Sequence, residues 1–274
     1  MNSSGKRPRL LVSDVDGTLV DREKRLTNGT IDAVARLHEA GIGFTIISAR
    51  PRSGLLPLIE QLGLDEPVGA FNGGIVFRRS GEILAHHRID PAVARGIWAA
   101  VGDAPVDRWM FADDRWYAST DQGTHVGSER RASAQEPIVT DDFDALLDRA
   151  DKITFVSDDQ PLLAELAVQV ADAWGDSATI AQSQTYYLDV TAPEANKGAG
   201  IAALAESFGV PLDETAAIGD QANDLPMLDR AGLAIAMGNA PDAVKTRAHH
   251  VSRPNDDDGV AWAIDHLIIK RDHA

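Results

Sequence analysis

The sequence predicts an α/β fold, a doubly wound parallel sheet that is interrupted by a second, inserted α/β domain. Segments typical of strands alternate with segments typical of helices in the first and the last third of the chain. The middle, from about residue 88 to residue 190, contains hairpin-like pairs of strands instead. We therefore expect two halves of one parallel sheet, joined by right-handed crossovers, with a separate sheet inserted between them.

The first third begins with a segment typical of a buried strand, RLLVSDV. A helix, TIDAVARLHEAG, follows it and ends at Gly41, with Thr27 or Asn28 as its N-cap. The next segments predict a strand, GFTIIS, a helix, SGLLPLIEQLG, and a further short strand with a glycine turn, VGAFNGGIVF. This order indicates a parallel sheet that is covered on both faces.

The last third repeats the alternation with the helix KGAGIAALAESFG, the strand TAAIGD, the short helix NDLPMLDRAG and the strand LAIAMG. In the middle, the strands RWMFA and RWYAS pair across the turn at Asp113 and Asp114. Three more strands are predicted there, KITFV, SATIAQ and TYYLDV, with two helices on one face. The stretch after RWYAS is rich in Gly, Ser and Asp and is predicted to be a loop. Trp109, Trp116 and Tyr117 either stack on a ligand or belong to the core, and their alternation along the strands favours the core.

Composition excludes several classes of function. The 274 residues include 42 acidic and 26 basic side chains, which gives a formal net charge of −16. Such a surface repels nucleic acid and anionic membranes, so an anionic substrate needs a metal ion or a few placed basic groups. Cysteine is absent, which excludes thiol catalysis and thiolate metal sites.

The N-terminal apolar run, LLV, is too short for a signal peptide, and no stretch is long enough for a membrane span, so we expect a soluble, cytoplasmic protein. The sequence leaves the oligomeric state open.

Polar side chains follow three of the predicted core strands. Asp14 and Asp16 come after the first strand, Ser48 and Arg50 after the second, and Asp220 after TAAIG. The carboxyl ends of parallel strands form the ligand-binding edge of such a sheet. Carboxylates that meet there repel one another unless a cation joins them, and a donor set of oxygen alone favours Mg²⁺.

Lys197 stands at the start of a predicted helix, between Asn196 and Gly198. The N-terminal amides of a helix favour an anion, so this lysine is a candidate for binding phosphate. The hydroxyl of Ser48 is suited to cap a helix, to bind a phosphate oxygen, or to do both.

Four ordered segments, DVDGTLV, ISAR, ANKG and GDQANDLPML, resemble the four motifs of the haloacid dehalogenase (HAD) superfamily. The resemblance is to its Cof-like branch of Mg²⁺-dependent phosphatases, which has a type IIB cap. FNGG, AMGNA and NDDDGVA resemble secondary signatures of that branch. The likeness covers essentially the whole chain and implies a Rossmann-like core formed by residues 1–86 and 191–274, with an inserted α/β cap at residues 87–190.

The resemblance also implies a function, the hydrolysis of small phosphorylated metabolites, with sugar phosphates as the first candidates. Asp14 would attack phosphorus and form an aspartyl phosphate, and Asp16 would act as general acid and then as general base. The residues alone do not decide between these two aspartates, although the position nearer the strand favours Asp14 as the nucleophile. Asp14, Asp220 and the main-chain carbonyl of Asp16 would bind Mg²⁺, and Lys197 would neutralise the charge of the phosphoryl group.

The remaining predicted roles are to bind the substrate and to hold the catalytic residues or the metal in place. Asp224 would hold Lys197 or the waters of the metal. The residues expected to bind phosphate or substrate are Gly17, Ser48, Arg50, Asn72, Gly73, Lys197 and Asn223. Gly17 would let the backbone turn tightly beneath the phosphate, and the alternative for Arg50 is a surface salt bridge. Two other functions stay open, a phosphomutase with the same core and, in another class, a non-catalytic sensor of a phosphorylated ligand.

Overall fold

The structure is a computed structural model that describes residues 6–270. Its strands are β1 (Leu10–Ser13), β2 (Gly43–Ile46), β3 (Val68–Ala70), β4 (Ile75–Phe77), β5 (Ile83–His86), β6 (Asp107–Ala112), β7 (Arg115–Ala118), β8 (Ile138–Val139), β9 (Ala150–Val156), β10 (Thr179–Gln184), β11 (Tyr187–Thr191), β12 (Thr215–Gly219), β13 (Leu233–Ala236) and β14 (His250–Val251). Its helices are α1 (Asn28–Glu39), α2 (Arg52–Leu62), α3 (Pro91–Val101), α4 (Val126–Ser133), α5 (Gln160–Trp174), α6 (Lys197–Ser207), α7 (Leu225–Leu228), α8 (Asp242–Lys245) and α9 (Gly259–Ala263). Residues 1–5 and 271–274 of the predicted core lie outside the described residues.

Five parallel strands form the central sheet, in the order β14-β13-β12-β1-β2. All four residues of β1 are buried, because a strand in the middle of such a sheet is covered on both faces. Side chains of α1, α2 and α9 pack with Leu11 on one face, and those of α6, α7 and α8 pack with Leu10 and Val12 on the other. The predicted doubly wound parallel sheet is therefore confirmed.

Two helices of the core begin at side-chain caps. The Oγ1 atom of Thr27 accepts a hydrogen bond from the backbone N–H of Thr30 at 3.1 Å, so Thr27, not Asn28, is the N-cap of α1. The Oδ1 atom of Asn196 accepts from the N–H of Ala199 at 2.9 Å. This cap makes Lys197 the first residue of α6.

The segment VGAFNGGIVF forms two antiparallel strands, β3 and β4, and not the single strand that the sequence predicts. Together with β5 they make a small three-stranded sheet. The chain reverses at residues 71–73, where Asn72 has a φ of 58° and Gly73 a φ of 95°. Left-handed backbone of this kind is accessible to glycine and asparagine, and it ends the strand after Ala70.

A six-stranded sheet, in the order β10-β11-β9-β6-β7-β8, forms the inserted cap domain. The predicted pairing of β6 with β7 is confirmed. Its turn residues, Asp113 and Asp114, have φ values of 52° and 59°, which fits a two-residue hairpin turn. Helices α3 and α5 pack together on one face of this sheet, as predicted.

The other face of the cap sheet is turned towards the core domain. Trp109 and Trp116 lie there, 1% and 0% exposed, in the same cluster as core residues such as Phe71. The interpretation of these tryptophans as core residues is confirmed. The stretch that was predicted to be a loop contains a third cap helix, α4, so that prediction was wrong. The polar sequence of α4, VGSERRAS, has little apolar pattern of its own, and its packing against α2 stabilises it.

The two linkers between core and cap follow β5 and β11, which end at His86 and Thr191. We keep the division into residues 1–86, 87–190 and 191–274 as a proposal. No helix within residues 6–270 is both long enough and apolar enough to cross a membrane.

Candidate active site

Three polar residues from distant parts of the chain meet at one edge of the central sheet. Asp14 directly follows β1, and its backbone N–H donates to the carbonyl of Ile218 at 2.9 Å. Ser48 comes two residues after β2, and Asp220 directly follows β12. Because β1 lies between β2 and β12, these side chains are neighbours at the carboxyl ends of the strands.

Lys197 joins two of the buried carboxylates. Its Nζ atom donates hydrogen bonds to Oδ1 of Asp14 and to Oδ1 of Asp224. The lysine side chain is fully buried. Burial alone would lower the pKa of Lys197, but the charges of Asp14 and Asp224 raise it above its ordinary value. The ammonium group is therefore a fixed positive charge between these two carboxylates.

The surroundings of Asp14 stabilise its ionised carboxylate only in part. It is 5% exposed. Burial raises its pKa well above the ordinary value of an aspartate, although the charge of Lys197 opposes this effect. An anion in such a place gains from further positive charge, which a metal ion supplies.

Asp220 lies against the backbone of Gly17. Its Oδ1 accepts a hydrogen bond from the hydroxyl of Thr18 at 2.9 Å, and its Oδ2 accepts from Nε2 of Gln221 at 3.0 Å. Burial, and then the charge of Asp224, raise the pKa of Asp220 to about 6. A Cβ atom on Gly17, which has a φ of 82°, would lie 2.5 Å from Oδ2 of Asp220. Glycine is therefore required here both for the backbone conformation and for the close approach of the carboxylate.

Asp224 uses both of its oxygens within the protein. Oδ1 accepts from Lys197, and Oδ2 accepts from the backbone N–H groups of Asp220 and Gln221, both at 2.8 Å. It thereby orients the lysine and the loop that carries Asp220. Of the two roles predicted for Asp224, the geometry matches the one in which it holds Lys197.

The aspartate cluster fits a metal ion. One carboxylate oxygen from each of Asp14, Asp220 and Asp224 lies within 4.8 Å of the others. Since Asp224 is saturated by internal donors, Asp14 and Asp220 are the carboxylates that would face the ion. A set of oxygen donors without His or Cys suits a hard divalent cation. The contribution of the Asp16 carbonyl to this site stays a prediction.

Asp16 is held by two cations. Nε and one terminal nitrogen of Arg50 donate to its two carboxylate oxygens at 2.8 and 2.7 Å, and Nζ of Lys24 donates at 2.6 Å. Burial opposes ionisation, but these two partners hold the pKa of Asp16 well below its usual range. Arg50 is 6% exposed, so it does form a salt bridge, but not the surface pair that was its alternative interpretation.

Ser48 and Asn223 lie beside Asp14 on the wall of one cavity. Ser48 is 1% exposed, and its Oγ accepts a hydrogen bond from the N–H of Arg50 at 3.1 Å. Its hydroxyl hydrogen remains available to donate. Ser48 is therefore able to cap the local backbone and to donate to a ligand at the same time.

Asn72 and Gly73 lie outside the wall of this cavity. The N–H of Asn72 donates to the carbonyl of Ser48 at 2.7 Å. A Cβ on Gly73 would come within 2.6 Å of the Cα of Gly200 in α6, so the glycine permits tight packing. Contact of these two residues with substrate stays a prediction.

The cavity itself lies between core and cap and has a volume of about 230 Å³. A cavity of this size suits a small organic molecule. The cap contributes Ser128, Glu129, Ala132, Lys152, Gln184, Tyr186 and Tyr187 to its wall. A ligand bound at Asp14 therefore meets side chains of both domains.

Sequence reasoning missed several residues of this site. Thr18 lies inside the motif DVDGTLV and Gln221 stands next to Asp220, but no pattern in the sequence indicates that they bind that carboxylate. No sequence pattern around Lys24 indicates a role for it, because a loop separates it from its partner Asp16. The cap residues of the cavity cannot be assigned without knowing which face of the cap sheet meets the core.

Comparison with known proteins agrees with this geometry. The pyridoxal phosphate phosphatase of Escherichia coli (strain K12) is 28% identical over 279 residues, which cover 95% of this chain and 99% of that protein. The HMP-PP phosphatase of Cronobacter sakazakii is 28% identical, with 89% of each chain covered. A solved HAD subclass IIB sugar phosphatase is 25% identical and superposes with a TM-score of 0.82, covering 95% of this chain and 99% of that one.

A family model described as haloacid dehalogenase-like hydrolase matches residues 11–264. The match runs from the strand that carries Asp14 to the last helical turns of the core and includes the inserted cap. The resemblance found in the sequence motifs is thus confirmed, and the protein belongs to the haloacid dehalogenase-like hydrolases.

Proposed function

We propose that the protein is a Mg²⁺-dependent phosphomonoesterase that acts on a small phosphorylated metabolite, with sugar phosphates as the first candidates. The observation that carries this proposal is the state of Asp14. It is a buried carboxylate with a raised pKa, it lines the cavity, and one of its oxygens is bound by Lys197. Relatives named as phosphatases of small phosphorylated compounds support the reaction class. Cytoplasmic location stays part of the proposal.

In the first step, an oxygen of Asp14 forms a bond to phosphorus while the bond from phosphorus to the ester oxygen breaks. The leaving alkoxide takes a proton from Asp16 and departs as an alcohol. Lys197 offsets the negative charge that Asp14 and the phosphoryl oxygens bring together. Ser48 and Asn223, on the same wall, orient the phosphoryl group.

In the second step, Asp16 takes a proton from water, and the water oxygen attacks phosphorus. The bond between Asp14 and phosphorus breaks, which releases inorganic phosphate and restores the carboxylate. Asp14 and Asp220 would hold Mg²⁺, which when bound would supply positive charge that offsets the repulsion of the nucleophile and the phosphate. The all-oxygen donor set, which suits hard divalent cations, supports the choice of Mg²⁺.

The ionised form of Asp16, held by Arg50 and Lys24, is the form that a general base requires. Its role as an acid requires that it carries a proton in the first step. A phosphate dianion bound beside Asp16 favours the protonated form of this carboxyl group, because like charges repel. Binding of the substrate is thereby coupled to the protonation of Asp16.

The proposal is tested with a panel of sugar phosphates, in Mg²⁺ and in chelator, with free phosphate and isomerised sugar both measured. We expect phosphate release that requires Mg²⁺ and that is lost in Asp14→Asn. Isomer formation without phosphate release would assign a phosphomutase instead. Tight binding without either product would assign a sensor, and retained turnover in Asp14→Asn would exclude the covalent route.

A further inference from the structure

The cap domain places one carboxylate, that of Glu129, in the wall of the cavity. Glu129 lies on α4, the helix on the core-facing side of the cap. This helix is fastened to the core, since Oγ of Ser53 donates to the carbonyl of Ser133 at 2.5 Å and Nε2 of Gln135 donates to Oγ of Ser53 at 2.8 Å. The position of Glu129 over the site is therefore fixed by contacts between the two domains.

The charge of Glu129 is not matched by a partner. Its carboxylate forms no hydrogen bond and no ion pair within 4.0 Å with any residue in the described range 6–270. It is half-buried, and burial raises its pKa to about 7 while the more distant charge of Lys152 opposes the rise. At pH 8 it is thus mainly an anion in a poorly solvated place.

The lysine and arginine side chains on the same cavity wall form ion pairs with other carboxylates. Lys152 donates to Asp189 at 2.9 Å, and that carboxylate also accepts the hydroxyl of Thr154 at 2.7 Å. Lys24 and Arg50 both bind Asp16. None of these three lysine and arginine side chains forms an ion pair with Glu129.

The cavity consequently has two ends of different character. At the core end, Asp14 lines the wall and is bound from behind by the buried Lys197, and the proposed function places the phosphoryl group there. At the cap end, a ligand meets the unmatched carboxylate of Glu129 together with the polar side chains of Ser128, Gln184 and Tyr186. Hydroxyl groups can donate to all of these, whereas a second anion would be repelled by Glu129 and would find no free cation.

We propose that Glu129 determines the charge class of the leaving group, accepting neutral polyhydroxy alcohols and excluding alcohols that carry a second negative charge. This inference rests on the proposed phosphatase function and narrows its substrates to phosphates of neutral polyols and sugars. Phosphorylated sugar acids and bisphosphates are excluded by the same carboxylate. Glu129 acts on the part of the substrate that leaves, and it takes no part in the transfer to Asp14.

The test compares two open-chain esters that differ at one carbon. Sorbitol 6-phosphate has a primary alcohol where 6-phosphogluconate has a carboxylate. Dissociation constants for both are measured by calorimetry at pH 8 with Mg²⁺, in Asp14→Asn and in Asp14→Asn combined with Glu129→Gln, so that turnover does not disturb the titration. A matched control combines Asp14→Asn with Glu165→Gln, which changes an exposed glutamate on α5, on the far side of the cap.

With Glu129 present, we expect sorbitol 6-phosphate to bind at least about tenfold more tightly than 6-phosphogluconate. Glu129→Gln is expected to remove most of this ratio, chiefly by tightening the binding of 6-phosphogluconate, while Glu165→Gln preserves it. An equal ratio with and without Glu129→Gln would overturn the inference, and so would failure of sorbitol 6-phosphate to bind. The proposed function is judged separately, by hydrolysis of p-nitrophenyl phosphate in the wild-type protein with Mg²⁺.

Discussion

Replacing Asp220 with asparagine is expected to stabilise the metal-free protein at neutral pH. The carboxylate is 2% exposed and lies beside Asp14 and Asp224, so its ionised form is costly in the fold. Asparagine has the same shape and can still accept the hydrogen bond from Thr18. The substitution removes the charge and keeps the packing, which isolates the electrostatic contribution.

The magnitude follows from the pKa of Asp220, which rises from 3.8 in the unfolded chain to about 6 in the fold. Each pKa unit corresponds to about 1.4 kcal/mol, so the ionised carboxylate costs about 3 kcal/mol at pH 7. Disturbance of the hydrogen bond from Gln221 offsets about 1 kcal/mol of the gain. Because the folded pKa is raised, the penalty is absent below pH 4, grows between pH 4 and 6, and is constant above. Asp220→Asn should therefore raise the free energy of unfolding by about 2 kcal/mol at pH 7, whereas at pH 4, where no ionisation penalty is relieved, the disturbed hydrogen bond should lower it by up to about 1 kcal/mol.

The assay is unfolding by urea, followed by circular dichroism in chelator at several values between pH 4 and 8. The control is Asp172→Asn, which changes an exposed aspartate on α5 and should alter stability little at any pH. Added Mg²⁺ should stabilise the wild-type protein and not Asp220→Asn, because ligand binding to the folded state alone raises stability. A variant that is less stable than wild type at pH 7, or a gain that is equal at pH 4 and pH 7, would refute the account of this carboxylate.

Three further predictions concern the lysine, the arginine and the cap contact. Lys197→Met should lower the free energy of unfolding at pH 8 by about 3 to 5 kcal/mol, because it leaves buried carboxylates without their cation; a loss below about 1 kcal/mol in urea unfolding contradicts this. Arg50→Ala should let the pKa of Asp16 rise towards its ordinary value. The part of the pH profile of kcat/KM that depends on Asp16 should then move to higher pH. An unchanged profile would contradict the pairing of Arg50 with Asp16. Gly54→Ala should separate α4 from α2, since the new Cβ would lie 2.0 Å from the carbonyl oxygen of Ala132. We expect a lower kcat/KM for sugar phosphates with circular dichroism of the folded protein unchanged, and full activity would show that the contact is dispensable.

The sequence was sufficient to predict the parallel core and the meeting of its strand ends. A strand such as β1, which is buried on both faces, has an almost unbroken apolar sequence. Polar residues directly after it must lie at the edge of the sheet. Asp14, Ser48 and Asp220 could be placed for this reason. The start of α6 at Lys197 was equally readable, because Asn196 is a good N-cap.

The cap side of the site was not predictable in the same way. Helix α4 has few apolar residues, and its stability comes from contacts with α2 that are distant in sequence. The pairing of Arg50 with Asp16 spans two loops, so no local pattern indicates it. The position of Glu129 over the cavity depends on the packing of α4 against α2, and only the assembled fold reveals it.

The central claim is that Asp14 becomes an aspartyl phosphate during turnover. An acyl phosphate is reduced by borohydride to homoserine, whereas a free carboxylate is not. The protein is mixed with substrate and Mg²⁺, quenched within one turnover, reduced, digested and mapped by mass spectrometry. We predict homoserine at position 14 in the sample with substrate and Mg²⁺, and aspartate there when either is omitted. Phosphate release with unmodified Asp14, or with the modification at another residue, would contradict the account.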